Sequence, residues 1–486
     1  MEVALSTLTP IPVAFYGAAS PILILSVAGI LAMLLSVCGK WNRPRSNFLF
    51  LFTILAATLG CLVQNGPRSF SFFEGAFQWG SVAYIGSLLI VGLAGVLAAL
   101  FYPSYLRTRF FTGEVIALYL FTLLGMLVLL SSDDFVTILV GVELSAMGLY
   151  ALVGYVDINR LSLEAAVKYL VLGSVATAIF LFGVGLLYLS TGSLSLHAIL
   201  QPVAPAMQIW QQTGMLMVLL GLGFKLALAP FHSWAPDVYE GAPSGITAFM
   251  ATCVKIAILL LLFRICRFFL QAQPQWSQLF LYLAAFSIVI GNWLALVQSG
   301  LKRMLAYSSI AHSGYMAMLL SIDPHGGALG TLVFYLIGYS LASVAIFGVI
   351  MWLEEKNCRN LHLDDIAGLS RKYPLASLAL TVAILSLAGM PPTVGFLGKF
   401  FILTQAVQGA QVGLVILAAL GSTVSLYYYL RVLVRMYMHE PDPISLLAPQ
   451  RSWLTILVVG TSVSLVVLMG TLWTQPMLEW VKGVGL

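Results

Sequence analysis

Apolar runs follow one another along the chain with few interruptions. They lie near 21–38, 47–64, 80–101, 113–131, 135–155, 163–189, 214–229, 246–267, 276–298, 301–321, 327–352, 374–390 continuing to about 410, 412–434 and 453–473. Each approaches the ~20 residues that a helix needs to cross a hydrocarbon core about 30 Å thick. The runs are apolar all round rather than on one face, which fits helices surrounded by lipid or by other helices. The pattern predicts an all-α integral membrane protein with about 14 transmembrane helices.

Two runs are broken by proline. Pro230 interrupts Lys225-Leu226-Ala227-Leu228-Ala229-Pro230-Phe231-His232, and Pro391-Pro392 follows Gly389-Met390. Proline removes a backbone donor and clashes with the preceding turn. Backbone broken at membrane depth persists only where protein or a wet cavity satisfies it. The breaks fall in spans seven and twelve, five spans apart, so spans 4–8 and 9–13 form two five-helix units. An odd number of spans per unit inverts one unit relative to the other, and inverted repeats with a broken helix in each are a transporter architecture. A weak internal echo agrees: Ser174-Val175-Ala176-Thr177-Ala178-Ile179-Phe180 resembles Ser340-Leu341-Ala342-Ser343-Val344-Ala345-Ile346-Phe347. The expected organisation is an N-terminal three-helix segment, 1–112, a first repeat, 113–270, a second, 271–436, and a C-terminal helix, 437–486.

Charge tests the span count. Placing the N-terminus outside puts Lys40, Arg43, Arg45, Arg107, Arg109, Arg160, Lys302, Arg303, Lys356, Arg359, Arg371, Lys372, Arg431, Arg435 and Arg451 in cytoplasmic loops, against Arg68, Arg264, Arg267 and Lys482 on the other side. Fifteen against four is the positive-inside asymmetry, and a missed or false span would scramble it. Composition agrees, with 60% hydrophobic and 8% charged residues where a soluble protein has about 25% charged. The net charge of +5 then reads as loop charge setting topology rather than as a nucleic-acid surface. Met1-Glu2-Val3-Ala4 has no basic leader, so the first span is expected to stay. The five cysteines, Cys38, Cys61, Cys253, Cys266 and Cys358, are scattered without a CxxC pair, which argues against iron–sulfur, zinc and disulfide frameworks.

The four remaining lysines, Lys168, Lys225, Lys255 and Lys399, lie inside apolar runs, as does Glu143. A lysine at the centre of a membrane helix costs about 2.5–3.5 kcal/mol on insertion scales. Glu143 is the ninth residue of its span, roughly 13 Å in at 1.5 Å per residue, and its partner must come from another helix. Lys225 and Lys399 each neighbour a break. Lys255 is too deep to snorkel, whereas Lys168 is only a few residues into its span. Burial disfavours a charged lysine and a nearby carboxylate restores it, so a switchable ion pair beside a wet path is a proton-moving element. His232 and His312 stand at membrane depth and are candidate relays. Ser308, Ser309, Ser313, Tyr307 and Tyr315 are expected to hold water beside His312. Asp133 and Asp134 read as interfacial. Gly398-Lys399 continues with Phe400, not Ser or Thr, which rejects a phosphate loop.

From Pro230 the sequence continues Phe231-His232-Ser233-Trp234-Ala235-Pro236-Asp237-Val238-Tyr239-Glu240-Gly241-Ala242-Pro243, then Thr247-Ala248-Phe249-Met250 up to Lys255. This stretch closely resembles the antiporter-like membrane subunits of proton-pumping NADH:quinone oxidoreductase, respiratory complex I, and the resemblance runs through nearly the whole chain. It takes in Glu143, Lys168, Gly389-Met390-Pro391-Pro392 and Lys399 at matching places. The resemblance implies fourteen helices with inverted repeats and a proton route from the Glu143–Lys225 pair through Lys255 to Lys399. It implies no cofactor in this chain, with NADH, FMN, iron–sulfur clusters and quinone held in partner subunits. Lys399 argues against sister subunit M, which usually has glutamate there, and the end at Leu486 argues against L, with its long lateral helix. Subunit M and the small membrane subunit K are the implied neighbours, and a bacterial inner membrane, with both termini outside, is the implied location. A sodium/proton antiporter subunit of the Mrp type is the alternative, and an uncoupled transporter of a small solute is a third reading.

Overall fold

The computed structural model describes residues 13–37, 44–73, 76–108, 112–155, 160–322, 327–354, 360–440 and 452–483. Lys40, Arg43, Arg109, Lys356, Arg359 and Arg451 of the charge asymmetry, and the segment Met1-Glu2-Val3-Ala4, lie outside the described residues. In chain order come α1 (Val13–Val37), α2 (Pro44–Asn65), an antiparallel hairpin of β1 (Phe70–Phe72) and β2 (Phe77–Trp79), α3 (Ser81–Thr108), α4 (Gly113–Leu130), α5 (Phe135–Gly154) and α6 (Arg160–Thr191). Then follow α7 (Gln208–Lys225), α8 (Trp234–Gly241), and α9 (Ser244–Phe249), which passes through a π-helical turn into α10 (Lys255–Ala272). The remainder is α11 (Trp276–Leu296), α12 (Leu301–Met318), α13 (Ala328–Leu353), α14 (Leu369–Lys372), α15 (Pro374–Ala388), α16 (Val394–Gln408), α17 (Val412–Met438), α18 (Trp453–Thr471) and α19 (Thr474–Gly483). The hairpin departs from the all-α expectation. It is built from Phe-Ser-Phe and Phe-Gln-Trp in the loop after α2, an alternation that suits a strand with one covered face.

Eleven helices among the described residues are long and apolar enough to cross a membrane. The continuous helix from Ser244 to Leu270 is buried throughout its most apolar stretch, and α13 nearly so, whereas α2 and α17 are mostly exposed. The first two therefore form the centre of the bundle and the latter two its lipid-facing or partner-facing rim. α12 falls outside the eleven because Lys302, Arg303, His312 and several serines and tyrosines make it too polar, yet all but one of its residues are buried. A polar helix at the centre of a membrane bundle marks where the chemistry is. Small residues let helices approach closely, as membrane packing requires. A side chain on Gly125 of α4 would strike the backbone of Gly141 and Ser145 on α5, and one on Gly183 of α6 that of Gly214 on α7.

Both predicted breaks are present. α7 ends at Lys225, five residues before Pro230, because the proline ring clashes with the carbonyl four residues earlier, that of Leu226. Lys225 thus occupies the carbonyl end of a half-helix, which favours a cation. At the second break Gly389 takes φ +83° and α15 and α16 are separate short helices. The connecting segments sort into two sets. In one, Ser131 accepts from Gln78, Leu196 donates to Asp133, and Arg264 reaches the Leu130 and Ser132 carbonyls. In the other, Leu301 pairs with Leu361, Leu363 with Ser299, Gly368 with Arg435, and Lys302 with Ala242. The first set covers the connections after α2, α4 and α6 and the second those after α8, α11 and α13, each skipping the connection between, as pairings on one face of a membrane bundle do.

Candidate functional site

Glu143 on α5 and Lys225 at the end of α7 come together with Oε1 and Nζ 3.8 Å apart. The lysine is buried and the carboxylate is a quarter exposed, so the pair has one member inside the bundle and one at its flank. Thr177 of α6 donates to Glu143. Lys225 donates to the Tyr150 hydroxyl at 3.2 Å, and Tyr150 is fixed by edge-on contact with Tyr169, which stacks on Trp234 of α8. The Trp234 indole in turn donates to the Phe224 carbonyl at 2.9 Å, tying the two sides of the break together around the lysine.

Lys255 is buried at the start of α10. Its ammonium donates to the Ser309 carbonyl and, at 2.8 Å, to the Ser313 hydroxyl, both on α12, and lies 5.1 Å from the centre of the Tyr339 ring. Ser313 donates to the Leu226 carbonyl at 3.0 Å, so Lys255 and the break beside Lys225 share one hydroxyl. His312, the next residue on α12, is buried between hydroxyls, with Nδ1 2.6 Å from Tyr335 Oη and Nε2 3.3 Å from Tyr429 Oη. It lies within electrostatic reach of both Lys255 and Lys399. Lys399, on α16, donates to the Ala388 carbonyl at 3.0 Å and to Ser422 at 3.1 Å, and lies 5.1 Å from the centre of the Tyr315 ring. The Tyr315 ring in turn packs edge-on against His312. Five of the seven candidates, Glu143, Lys225, Lys255, His312 and Lys399, therefore lie along one run of contacts through the middle of the bundle.

The other two stand apart from that run. Lys168, shallow in its span and able to snorkel, is indeed not buried. Its side chain is 41% exposed and bridges Glu164 at 2.8 Å and Asp237 at 2.7 Å. Asp237 also binds Arg303 at 2.7 Å, and Arg303 binds Glu240 at 2.9 Å. Sequence hid this because Asp237 lies on a short half-helix far from Lys168 in the chain. His232 sits in the first break, half-buried, with Nδ1 buried and unbonded among the described residues. Of the five residues named as able to hold water beside His312, Tyr315 packs against its ring, Ser308 shares the Tyr429 hydroxyl with it, and Ser309 and Ser313 serve Lys255 instead, while Tyr307 has no bond to it among the described residues. Tyr150, Tyr335, Tyr339, Tyr429 and Thr177 were not foreseen. The spacing of Tyr335 and Tyr339, four apart on one face of a helix, was the available signal. Two voids of about 10 Å³ adjoin Ser308–Ser309–Tyr339 and His312–Tyr335, at the lower limit for holding one water. Among the described residues no three His, Cys, Asp or Glu side chains gather as a metal site needs.

Residues 132–426 match the family described as NADH:quinone oxidoreductase/Mrp antiporter, transmembrane, an interval holding all seven candidates. NADH-quinone oxidoreductase subunit N of Paramagnetospirillum magneticum is 35% identical over 430 residues, covering 87% of this chain and 88% of the relative. The chain belongs to the NADH-quinone oxidoreductase subunit N family. A second subunit N relative, from Trichlorobacter lovleyi, is 36% identical over 91% of this chain and 92% of its own length. Among solved structures, a chain of respiratory complex I from Thermus thermophilus, with bound aureothin, superposes with a TM-score of 0.82 at 35% identity, covering 94% of this chain and 98% of that one. A chain of the Mrp complex from Dietzia sp. DQ12-45-1b has the same TM-score, 0.82, at 19% identity. The subunit N family thus shares its fold with Mrp proteins, while the subunit N relatives carry the sequence likeness.

Proposed function

We propose that this chain moves protons across the membrane as an antiporter-like subunit of NADH:quinone oxidoreductase, driven by electron transfer in partner subunits. The observation that carries the reading is the run of contacts from Glu143 and Lys225 through Leu226, Ser313 and Lys255 to His312, Tyr315 and Lys399. Unit charges 3.8 Å apart interact with on the order of 4 kcal/mol at an effective dielectric of about 20. Displacing the flank-exposed carboxylate of Glu143 is therefore enough to decide whether Lys225 keeps its proton. The hydroxyls around Lys255, His312 and Lys399 supply donors and acceptors for onward transfer, with Lys168 and His232 feeding the path from its edge.

The same reading divides the chain into fourteen spans, with inverted repeats at 113–270 and 271–436 flanked by 1–112 and 437–486. The alternation of the two loop sets supports this count. It places the protein in a bacterial inner membrane with both termini outside, beside antiporter-like subunit M and small subunit K. NADH, FMN, iron–sulfur clusters and quinone belong to other subunits of the complex.

The test is proton translocation per NADH oxidised in membranes carrying the assembled complex. Glu143→Gln and Lys225→Ala are each expected to lower it at least about tenfold, since each removes that attraction on the order of 4 kcal/mol. Glu143→Asp is expected to retain more activity than Glu143→Ala. Full translocation by both disrupted variants at normal assembly would sink the ion-pair mechanism. Sodium-for-proton exchange without NADH oxidation would favour the Mrp-type alternative.

A further inference from the structure

Ser313 sits at a junction between two of the lysines. It is fully buried on α12. Its oxygen accepts from Lys255 Nζ at 2.8 Å. It has one proton to give and two carbonyls within reach: Leu226, the first residue of the break, at 3.0 Å, and Ser309, one turn back on its own helix, at 3.1 Å. The Ser309 carbonyl also accepts from Lys255. Facing the ammonium is the Tyr339 ring from α13, while the Tyr239 and Tyr339 hydroxyls meet the hydroxyl of Ser309, whose carbonyl is what Lys255 binds. His312 adjoins Ser313 on α12 and Lys225 precedes Leu226. Among the described residues Lys255 forms no ion pair with a carboxylate. The hydroxyl partners therefore carry the response to any change in its charge.

We infer that Ser313 is a positioning residue that couples the proton state of Lys255 to the helix break beside Lys225. An ammonium has three donors and no acceptor. While Lys255 is charged, Ser313 only accepts from it and gives its own proton to a carbonyl, and donation to Leu226 ties down the break. A neutral amine has a free lone pair. When an N–H bond of Lys255 breaks and its proton is taken up at a ring nitrogen of His312 along the proposed path, the Ser313 hydroxyl turns to donate to the amine nitrogen and releases Leu226. The released carbonyl belongs to the residue after Lys225, so a proton lost at one lysine loosens the backbone that positions the other. The second break has the same parts. The Ala388 carbonyl accepts from Lys399 at 3.0 Å and from the Ser422 hydroxyl at 3.5 Å, while Lys399 and Ser422 are 3.1 Å apart. At the second break a buried lysine, a serine and a break carbonyl thus form a triangle, whereas at the first the lysine meets the break carbonyl only through the serine.

This inference rests on the proton path proposed above, and the experiment separates the two. Protons translocated per NADH are measured in membranes with the complex assembled at wild-type level, for Lys255→Ala, Ser313→Ala and Ser313→Thr. Lys255→Ala is expected to lose translocation. If it does not, the path itself fails and the inference with it. Ser313→Ala is expected to lower translocation about five- to tenfold, the scale of one net hydrogen bond, and Ser313→Thr, which keeps the hydroxyl, to restore it to within about twofold. If Lys255→Ala is inactive while Ser313→Ala equals wild type, the inference falls and the path stands. If Ser313→Thr is as impaired as Ser313→Ala, the hydroxyl is not what matters and the inference also falls. Should Ser313→Ala fail to assemble, Ser313→Cys, of similar size but a weak donor, takes its place. Low translocation by assembled Ser313→Cys supports the inference, and wild-type translocation or failure to assemble overturns it.

Discussion

A buried ammonium needs acceptors for its three protons, and each lysine on the path finds them mainly among neutral oxygens. Tyr150 is the side chain that hydrogen-bonds Lys225, at 3.2 Å, while Glu143 stands at 3.8 Å, beyond a good hydrogen bond. The tyrosine therefore holds the lysine and the carboxylate sets its charge. Tyr150→Phe removes the holding oxygen and keeps the ring that packs on Tyr169. Hydrogen bonds to charged groups are worth about 1.5–3 kcal/mol. Translocation per NADH is expected to fall about threefold or more, with assembly intact and less damage than from Glu143→Ala. An unchanged ratio would show that Tyr150 is packing alone. Glu143 and the lysines were legible in the sequence because a charge in an apolar run breaks a pattern. The hydroxyls were not, because serine and tyrosine are ordinary in membrane helices and only the fold shows which ones converge. The shallow place of Lys168 was legible, but its apolar neighbours said nothing of Asp237, which reaches it from another element.

At the scale of elements, the half-helices were legible and their ends were not. Proline marks a break, but the helix stops where the ring would strike the carbonyl four residues back, so α7 ends at Lys225 rather than beside Pro230. The polar helix α12 was read as an ordinary span, yet its position at the centre follows from its serines, tyrosines and His312 needing partners that lipid cannot offer. At the second break, Gly389 has φ +83°, and an added Cβ would meet the Lys399 side chain. Gly389→Ala therefore adds backbone strain of roughly 1 kcal/mol or more and displaces the lysine. A lower thermal midpoint for the membrane arm together with reduced translocation is the expected result. A lower midpoint with normal translocation would show that the conformation of Gly389 serves stability only. At the first break, the α8 half is fixed by Asp237 and Glu240 on Arg303 and by Ser162 on the Gly241 carbonyl.

For the molecule as a whole, the inverted-repeat reading turns on parity. If five crossings separate the two breaks, α7 brings its carbonyl end to mid-membrane from one face and α15 brings its own from the opposite face. Lys225, the last residue of α7, and the ammonium of Lys399, on the Ala388 carbonyl that ends α15, then mark two half-helix ends facing opposite ways in the bilayer, an arrangement suited to passing a proton from one half-path to the other. The loop pairings already divide into two alternating sets: Asp134 pairs with Ser195 in one, and Gly300 with His362 in the other. Single cysteines at exposed loop positions test whether these sets are the two membrane faces. Gln201→Cys and Gln275→Cys belong to one set, and Ser299→Cys and Lys372→Cys to the other. Cys38, Cys61 and Cys358 are replaced beforehand, while Cys253 and Cys266 are buried and stay in place. With an impermeant maleimide applied to intact spheroplasts, Gln201→Cys and Gln275→Cys are expected to react, and Ser299→Cys and Lys372→Cys only after the membrane is opened. If Gln275→Cys and Ser299→Cys react from the same face, α11 does not cross. The parity then changes, and the two lysines at the breaks no longer approach the midplane from opposite sides.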